Sequence, residues 1–341
     1  MTERPDLSGT APEVVAYIEA LEARLAGSVP TSRPTAAALP DEPPTTQSIL
    51  TISRGGLIKR TLRHLYGRQR RGGMGVFDLD TPADDVPVLL AQADVGDILL
   101  LFTDDGRAFR LPVAGLPESP VRARGQELRG LLPLRPHERI IGAVPHNAGP
   151  YMILLSRRGW VRRVRAAYLG SSLIPGTVFH DLKEGGPLVA ACASRGSDDL
   201  FLATREGKAI RFMETQVPAR GCLGIRLDAT DEAVAVAAVG PGDGVFLMGE
   251  DGQGTIRLMS GFTANKAPAA GGKVAIKSDR LIGAARAGAG DELFAISRLG
   301  KLIRFAAAEV PPKEGVVQGV SCMALRADEV VAVAVTPDSD H

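Results

Sequence analysis

Residues 100–110, LLFTDDGRAFR, contain an apolar run, a short polar turn with a glycine, and a second run that ends on an arginine. Two runs joined by such a turn predict a β-hairpin. The same phrase occurs six times along the chain. The other copies are LTISRGGLIKR (50–60), ILLSRRGWVRR (153–163), LFLATREGKAIR (200–211), VFLMGEDGQGTIR (245–257) and LFAISRLGKLIR (293–304).

The six copies are in phase. The turn glycine precedes the closing arginine by four residues in five copies and by five in the other. The turn glycines are Gly56, Gly106, Gly159, Gly207, Gly252 and Gly300, and the closing arginines are Arg60, Arg110, Arg163, Arg211, Arg257 and Arg304. Successive copies lie about 48 residues apart, which is the spacing of propeller blades.

The rest of each repeat predicts two further strands. A second glycine-containing turn follows each hairpin, as in RRGGMGV (70–76) and RARGQEL (122–128). An apolar strand, often opened by acidic residues, then leads to the next copy, as in DEAVAVAAV (231–239). Four strands in each repeat indicate an all-β, six-bladed β-propeller or β-pinwheel over residues 48–341, with the repeats filling 48–337.

The N-terminal tail, residues 1–47, has a different composition. Residues 11–26 predict a short amphipathic helix. Its apolar stripe consists of Val14, Ile18, Leu21 and Leu25. A helix of this length is marginal in isolation, so we expect the stripe to pack on a second copy of the chain, on a partner or on the main domain. Residues 28–47 are rich in Pro, Thr and Ser and predict a disordered linker.

Charge is distributed unevenly, although the net charge is only +1. Residues 1–47 contain seven acidic residues and three arginines, so the tail carries −4. The remainder contains 37 basic and 32 acidic residues. This separation predicts a polyanionic partner for the larger part of the chain.

Several classes of protein are disfavoured. Cys192, Cys222 and Cys322 lie far apart without a C-x-x-C pair, which predicts free thiols in a reducing cytoplasm and no metal site or disulfide. No apolar run is long enough to cross a membrane, and the N-terminus lacks a signal pattern. We therefore expect a cytoplasmic protein that does not bind a membrane.

Residues 49–77 are strongly basic and contain no acidic residue. Their basic side chains are Arg54, Lys59, Arg60, Arg63, Arg68, Arg70, Arg71 and His64. Within them lies Gln69-Arg70-Arg71-Gly72-Gly73-Met74-Gly75. Paired arginines beside clustered glycines let guanidinium groups and bare backbone N–H groups approach phosphates closely. RARG (122–125) has the same phase in the second repeat.

Four stretches carry a resemblance to a known family: LTISRGGLIKRT (50–61), QRRGGMGV (69–76), LLLFTDDGRAFRLPVAGLPE (99–118) and ARGQELRGLLPLRPHERI (123–140). The chain resembles the C-terminal domain of the DNA gyrase A protein over residues 48–337. That family carries a box, Gln-Arg-Arg-Gly-Gly-Lys-Gly. This chain matches it at Gln69, Arg70, Arg71, Gly72, Gly73 and Gly75, whereas Met74 stands where the family has lysine.

The resemblance implies a β-pinwheel, in which the blades exchange strands, and the wrapping of DNA around a positively charged rim. Met74 removes one cation from the box, which predicts weaker wrapping than in gyrase. The breakage-reunion region of gyrase A, with its active-site tyrosine, has no counterpart in this sequence. The four tyrosines lie on the short helix or inside propeller repeats, so we expect no enzymatic activity and no cofactor.

A second basic cluster lies in the third repeat, in SRRGWVRRVRA (156–166). Alternation along the predicted strand from Trp160 places arginines on both of its faces. Arginines are hard to bury on both faces, so at least one face is expected to be solvated. Repeats four to six are more acidic, so we expect the DNA path to favour blades one to three.

The expected function is the non-catalytic binding and bending of duplex DNA in the nucleoid. The candidate DNA contacts are Arg54, Lys59, Arg60, Arg63, Arg68, Gln69, Arg70, Arg71, Gly72, Gly73, Gly75, Arg110, Arg122, Arg124, Arg157, Arg158, Arg162, Arg163 and Arg165. Candidate protein partners are gyrase or topoisomerase IV subunits, and a second copy of the chain through residues 11–26. The alternative is a propeller scaffold for protein partners, with a degenerate basic rim.

Overall fold

The computed structural model describes residues 14–15, 42–82 and 84–337. The chain is helical at residues 14 and 15. The rest of the predicted helix 11–26, and the part of the predicted linker that precedes residue 42, lie outside the described residues.

The chain divides into two compact units, Met1–Leu39 and Pro40–His341. Within its described residues the second unit contains twenty-five β-strands. The first twelve are β1 (Gln47–Ser53), β2 (Leu57–Leu62), β3 (Val76–Phe77), β4 (Pro87–Asp94), β5 (Ile98–Thr103), β6 (Arg107–Pro112), β7 (Gln126–Glu127), β8 (Ile140–Pro145), β9 (Tyr151–Ser156), β10 (Trp160–Arg165), β11 (Thr177–Val178) and β12 (Leu188–Ser194). The others are β13 (Asp199–Thr204), β14 (Lys208–Met213), β15 (Cys222–Leu223), β16 (Ala233–Val239), β17 (Gly244–Gly249), β18 (Gln253–Leu258), β19 (Lys273–Val274), β20 (Leu281–Ala287), β21 (Glu292–Ser297), β22 (Lys301–Ala306), β23 (Pro312–Lys313), β24 (Val320–Ser321) and β25 (Val330–Thr336).

Helical structure among the described residues of this unit is confined to single turns. One α-helical turn spans Leu182–Gly185. The 3₁₀ turns span Arg63–Leu65, Val113–Gly115, Leu128–Gly130, Ala166–Leu169, Glu214–Gln216, Met259–Gly261 and Ala307–Glu309. The predicted all-β class is confirmed.

Six sheets form, one for each predicted repeat. From inner to outer strand, blade 1 is β4–β1–β2–β7, blade 2 is β8–β5–β6–β11 and blade 3 is β12–β9–β10–β15. Blade 4 is β16–β13–β14–β19, blade 5 is β20–β17–β18–β23, and blade 6 is β25–β21–β22–β3. Paired strands are antiparallel except for β23, which runs parallel to β18, and β24 adds a second, antiparallel pairing to β18.

The blades exchange strands. The outer strand of blade 1 is β7, which follows the hairpin of the second repeat in the chain and pairs with β2. The same relation joins β11 to β6, β15 to β10, β19 to β14 and β24 to β18. The glycine-containing turns identified in the sequence are the segments that deliver these outer strands. The β-pinwheel arrangement is therefore present.

The ring closes through the first repeat. Its outer strand, β3, pairs with β22 of blade 6, with Val76 opposite Leu302 and Phe77 opposite Lys301. The inner strands contact one another around the ring in the order β4, β8, β12, β16, β20 and β25, and β25 contacts β4. These strands surround a central cavity of about 610 Å³.

Apolar clusters fill the six interfaces between blades. Successive side chains of a hairpin strand face opposite neighbours: Leu200 packs with Ile153 of blade 3, whereas Phe201 packs with Val245 of blade 5. Both faces of each blade are thus buried, which explains why these strands are continuously apolar rather than alternating. An apolar cluster also lies between blades 6 and 1, so the ring closure is stabilised by apolar packing as well as by strand pairing.

The hairpin turns share one geometry. All six turn glycines have φ between 76° and 93°, a left-handed conformation that side chains disfavour. In five of the turns, the side-chain hydroxyl of the last residue of the first strand accepts a hydrogen bond from the backbone N–H four residues later. These hydroxyls belong to Ser53, Thr103, Ser156, Thr204 and Ser297, a further repeated feature that marks the hairpins in the sequence.

Several closing arginines tie one blade to the next. Arg60 donates from Nε to the carbonyl oxygen of Leu116 in blade 2 (3.0 Å). Arg211 donates to two carbonyl oxygens at the 3₁₀ turn of blade 5. Arg304 donates to the carbonyl oxygen of Tyr66 across the ring closure (3.0 Å). The ends of short helical turns carry carbonyls without internal partners, and the arginines satisfy them.

We expect Gly75→Ala to weaken the ring closure. Gly75 has a φ of 73°, and a Cβ at this position would lie 2.7 Å from the carbonyl oxygen of Leu302. Strain of this kind should lower the free energy of unfolding by about 2 kcal/mol, as measured by urea denaturation. Gly67→Ala is the matched control, since nothing lies within 4 Å of its Cβ position. Equal stability of the two variants would contradict the expected role of Gly75.

Candidate nucleic-acid interface

The box segment, residues 69–75, crosses the seam where the ring closes. The N–H of Gln69 donates to the carbonyl oxygen of Arg304 (2.8 Å), and the N–H of Gly72 donates to that of Cys322 (2.8 Å). These backbone groups bond to protein, so they do not form the open phosphate cradle expected from the glycine cluster. The glycines instead let the segment lie flat against blades 5 and 6.

The guanidinium groups of the box segment lie at the surface. Arg70 and Arg71 are both exposed. Arg71 donates from Nη1 to the carbonyl oxygen of Ser321 (3.1 Å), and its backbone N–H donates to Glu309 (3.0 Å). Among the described residues the guanidinium of Arg70 has no hydrogen-bond partner. Met74 is 46% exposed, so a lysine at this position would also reach solvent.

Further cations adjoin the box segment around Phe77, which is 52% exposed. The guanidinium carbon of Arg122 lies 5.8 Å from the centre of its ring, and Nζ of Lys301 lies 5.3 Å from it. We call Arg70, Arg71, Arg122 and Lys301 the seam patch. Lys301 was missed in the sequence because it belongs to the sixth repeat; its position directly after a turn glycine is the only signal that marks it.

Lys59 is buried in blade 1, with 1% of its surface exposed. Its Nζ donates to the carboxylate of Asp78 (2.5 Å) and to the carbonyl oxygen of Val121 (2.7 Å). Burial lowers the pKa of Lys59 from its ordinary value, an effect that Asp78 opposes. Tyr66 also donates to Asp78 (2.6 Å), and burial raises the pKa of its phenol well above the ordinary value.

Arg60 and Arg63 are also buried, with exposures of 7% and 2%. Arg63 donates from Nε to Glu42 (3.1 Å) and from Nη1 to the carbonyl oxygen of Pro337 (2.8 Å). The first and last described residues of the second unit thus meet at the ring closure, and the unit begins before its predicted boundary. The sequence predicted Lys59, Arg60 and Arg63 as DNA contacts. Their side chains are enclosed by protein and cannot reach DNA, so this assignment is corrected.

Three other predicted DNA contacts, Arg54, Arg68 and Arg110, differ in how far their side chains are exposed. Arg54 and Arg68 are exposed, and Arg68 pairs with the buried carboxylate of Glu292. Arg110 is half-buried and donates from Nη1 to the carbonyl oxygen of Leu169 (2.7 Å). Its main contact is therefore the tie from blade 2 to blade 3.

The basic cluster of blade 3 divides in the same way. Its exposed members are Arg157, Arg158 and Arg165, and its half-buried members are Arg162 and Arg163. Arg162 donates to the carbonyl oxygens of Phe179 and Ala219. Arg163 lies 3.7 Å from the buried carboxylate of Glu214. Arg124, in the second glycine turn, is exposed.

Several exposed arginines are paired with carboxylates, in blade 3 as well as later in the chain. The pairs include Arg157–Glu232, Arg205–Glu232, Arg280–Glu250, Arg286–Asp243 and Arg298–Glu329. Pairing of this kind weakens the field that a polyanion would meet.

The part of the chain that the structure describes contains neither a metal-binding cluster nor a membrane-spanning helix. Its His, Cys, Asp and Glu side chains form no group of three or more that could hold a metal ion. No helix within the same residues is long and apolar enough to span a bilayer.

Residues 47–86, 97–147, 198–239 and 291–337 match the family described as DNA gyrase C-terminal domain, beta-propeller. The chain belongs to this family. The DNA gyrase A protein of Mycolicibacterium smegmatis is 32% identical over 308 residues, which cover 86% of this chain and 36% of the relative. The gyrase A protein of Escherichia coli K12 is 29% identical over 296 residues, covering 83% and 34%. The chain thus spans about a third of the length of these curated relatives.

Solved structures share the fold. The DNA gyrase A C-terminal domain superimposes with a TM-score of 0.75 at 19% identity, covering 85% of this chain and 99% of the other. The C-terminal domain of DNA topoisomerase IV gives 0.62 at 21% identity, covering 87% and 95%. The predicted six-bladed fold and the family resemblance are confirmed. The C-terminal propeller of gyrase A is a non-catalytic domain of a type IIA topoisomerase.

We expect Lys59→Ala to destabilise the propeller strongly. The change leaves Asp78 as an unpaired buried charge, which should cost about 3–5 kcal/mol of unfolding free energy, as measured by urea denaturation. The double variant Lys59→Met with Asp78→Asn should recover part of the loss. Arg54→Ala, at an exposed position, is the control and should change stability by no more than about 0.5 kcal/mol. A neutral Lys59→Ala variant would contradict a structural role for this lysine.

Proposed function

We propose that this chain binds duplex DNA on its basic rim and bends and wraps it, without catalysing a reaction. The observation that carries the proposal is the exposed pair Arg70 and Arg71 on the segment that closes the ring. A closed ring holds these cations at fixed positions relative to the other blades. Membership of the gyrase C-terminal domain family supports DNA as the polyanion.

The energetics favour wrapping by separated cations. Arginines that neutralise phosphates release counterions and supply affinity without reading the base sequence. Bending 20–30 bp costs about 1–6 kcal/mol. Phosphate contacts spread along a curved rim offset this cost, so cations are needed on several blades. The seam patch and the exposed arginines of blade 3 meet this requirement.

We assign as DNA contacts the arginines of the predicted set whose side chains are exposed, together with the half-buried Lys301 of the seam patch. The exposed arginines are Arg54, Arg68, Arg70, Arg71, Arg122, Arg124, Arg157, Arg158 and Arg165. Gln69, Gly72, Gly73 and Gly75 shape the segment that presents Arg70 and Arg71. Arg110, Arg162 and Arg163 donate to or face protein groups, and they position the rim rather than meet DNA directly.

We also propose a cellular location and protein partners that are consistent with DNA binding. We place the protein in the cytoplasm on nucleoid DNA, as an accessory to a type IIA topoisomerase or as a determinant of DNA topology on its own. Gyrase and topoisomerase IV subunits are the candidate protein partners. Residues 11–26 are the candidate segment for contact with such a partner or with a second copy of the chain.

We expect Arg70→Ala with Arg71→Ala to abolish wrapping while most of the affinity remains. The pair lies where the path crosses the ring closure, whereas the rest of the rim still holds the duplex. The assay binds protein to nicked plasmid, ligates the nick and measures the shift in linking number. Salt-titrated binding to linear duplex is measured in parallel, and each lost phosphate contact should make the log–log slope shallower by about 0.9.

Arg280→Ala is the matched control for this pair. Arg280 is exposed but pairs with Glu250, away from the assigned contacts, so its loss should leave both wrapping and the salt slope unchanged. A box variant that shifts the linking number as much as the wild-type protein does would refute the wrapping mechanism.

Met74→Lys should strengthen wrapping. The substitution restores the cation that the family carries, and the side chain is exposed, so the new charge need not be buried. The linking-number shift at a fixed protein-to-plasmid ratio should increase, and the salt slope should steepen by about 0.9. Met74→Gln serves as the neutral polar control. An unchanged shift for Met74→Lys would mean that DNA does not pass over this position.

A scaffold for protein partners is the second candidate, and the outer strands favour it. Phe77, Val178 and Val274 expose 52%, 58% and 44% of their surface on β3, β11 and β19. Exposed apolar side chains at a sheet edge can receive a protein partner. Binding to DNA that does not depend on salt, or no binding, would favour this candidate.

A further inference from the structure

A pocket of about 370 Å³ opens on blade 3. Three arginines and three aromatic residues contribute to its lining: Arg162, Arg163, Arg165, Tyr151, Tyr168 and Phe179. The volume is that of a small-molecule site. Cationic and aromatic side chains together suit a ligand that carries both an anionic group and a flat ring.

The six repeats provide an internal comparison at this site. The last residue of the second hairpin strand is Arg165 in blade 3. In the other blades it is Leu62, Pro112, Met213, Leu258 or Ala306. All five are apolar, so the propeller fold does not require a charge at this position.

The residue opposite this position varies among the blades, and it is aromatic in blade 3 alone. Tyr151 pairs with Arg165 across the hairpin, and its ring centre lies 4.5 Å from the guanidinium carbon of Arg163. The matching residues of blades 4 and 6 are Asp199 and Glu292, which form salt bridges with the closing arginines there. Blade 3 therefore has an aromatic ring where those two blades have a carboxylate, and this ring lies beside the arginines of the pocket.

Two side chains of the pocket face solvent. Arg165 is exposed, and Tyr168 exposes 63% of its surface. Within the described residues, neither side chain forms a hydrogen bond or an ion pair with another residue. Their exposure means that the fold gains little from either of them, whereas a ligand could reach both.

We propose that this pocket binds an unpaired nucleotide, with the base stacked on Tyr168 and the phosphate on Arg165. Stacking on an aromatic side chain accepts every base, because each has a π face. Arginine binds a phosphate through two parallel hydrogen bonds. Paired bases of a duplex are covered on both faces by their neighbours, so the pocket selects nucleotides outside a duplex. This binding is distinct from duplex wrapping and does not depend on it.

The test measures fluorescence anisotropy of a labelled oligothymidine of about ten nucleotides, with a duplex of the same length alongside. Tyr168→Ala should weaken single-strand binding by about tenfold and leave duplex wrapping in place. Arg165→Met should weaken single-strand binding by a similar factor and also remove one of the assigned duplex phosphate contacts, so its duplex affinity should fall slightly. Tyr168→Phe keeps the ring and should bind like the wild-type protein. Met213→Ala, at the position of blade 4 that matches Arg165, is the control and should have no effect.

A displacement experiment distinguishes a free nucleotide from single-stranded DNA as the ligand. Displacement of the labelled strand by deoxyadenosine monophosphate would identify free nucleotides as ligands, and failure to displace it would identify single-stranded DNA. Both results support the proposal if Tyr168→Ala removes the binding. Single-strand binding by Tyr168→Ala equal to that of the wild type, or equal losses of single-strand and duplex binding, would overturn it. Arg70→Ala with Arg71→Ala should keep single-strand binding, so the two functions can fail separately.

Discussion

The pairing of β3 with β22 is the contact on which the rest of the structure depends. Each blade takes its outer strand from the repeat that follows, so the last blade can be completed only by the first repeat. In an open array of repeats the terminal units would expose one apolar face each. Closure buries both faces of every blade. At the same seam, Glu42 pairs with Arg63 and Arg304, and a buried network of this kind is costly to break because a lone buried charge remains.

Closure and the proposed DNA contact share one segment. The backbone of the box segment, residues 69–75, is held by hydrogen bonds to blade 6 and to the residues after β24. Gly75 is required because the segment packs directly against the backbone of Leu302. The arginines project from this anchored backbone, so the points from which their side chains extend are fixed before any ligand arrives. Pre-organisation of this kind lowers the ordering cost of binding.

The repeated residues and the departures from the repeat have different physical roles. Closing arginines occur in all six repeats, where all of them are buried or half-buried, and five of them donate to carbonyl groups at the short turns. Residues found in one repeat alone are free from this role. Arg165 is exposed and belongs to this second class. In a repeat protein, candidate sites are therefore found most directly where one copy differs from the others.

The sequence by itself determined the number of blades, the hairpins, the family and the box, because turn glycines, apolar runs and the spacing of arginines are local features. It identified the basic stretch of the first repeat but could not separate the buried members of that stretch from the exposed ones. Lys59 and Arg70 are both basic residues of this stretch. Lys59 is buried beside Asp78, whereas Arg70 is exposed. Only the tertiary structure decided this, because burial depends on what the neighbouring blade supplies. The same reason explains why Glu42, Lys301 and the Tyr151–Arg165 pair emerged only from the fold: their partners are distant in the chain or lie across a strand pairing that the sequence does not display.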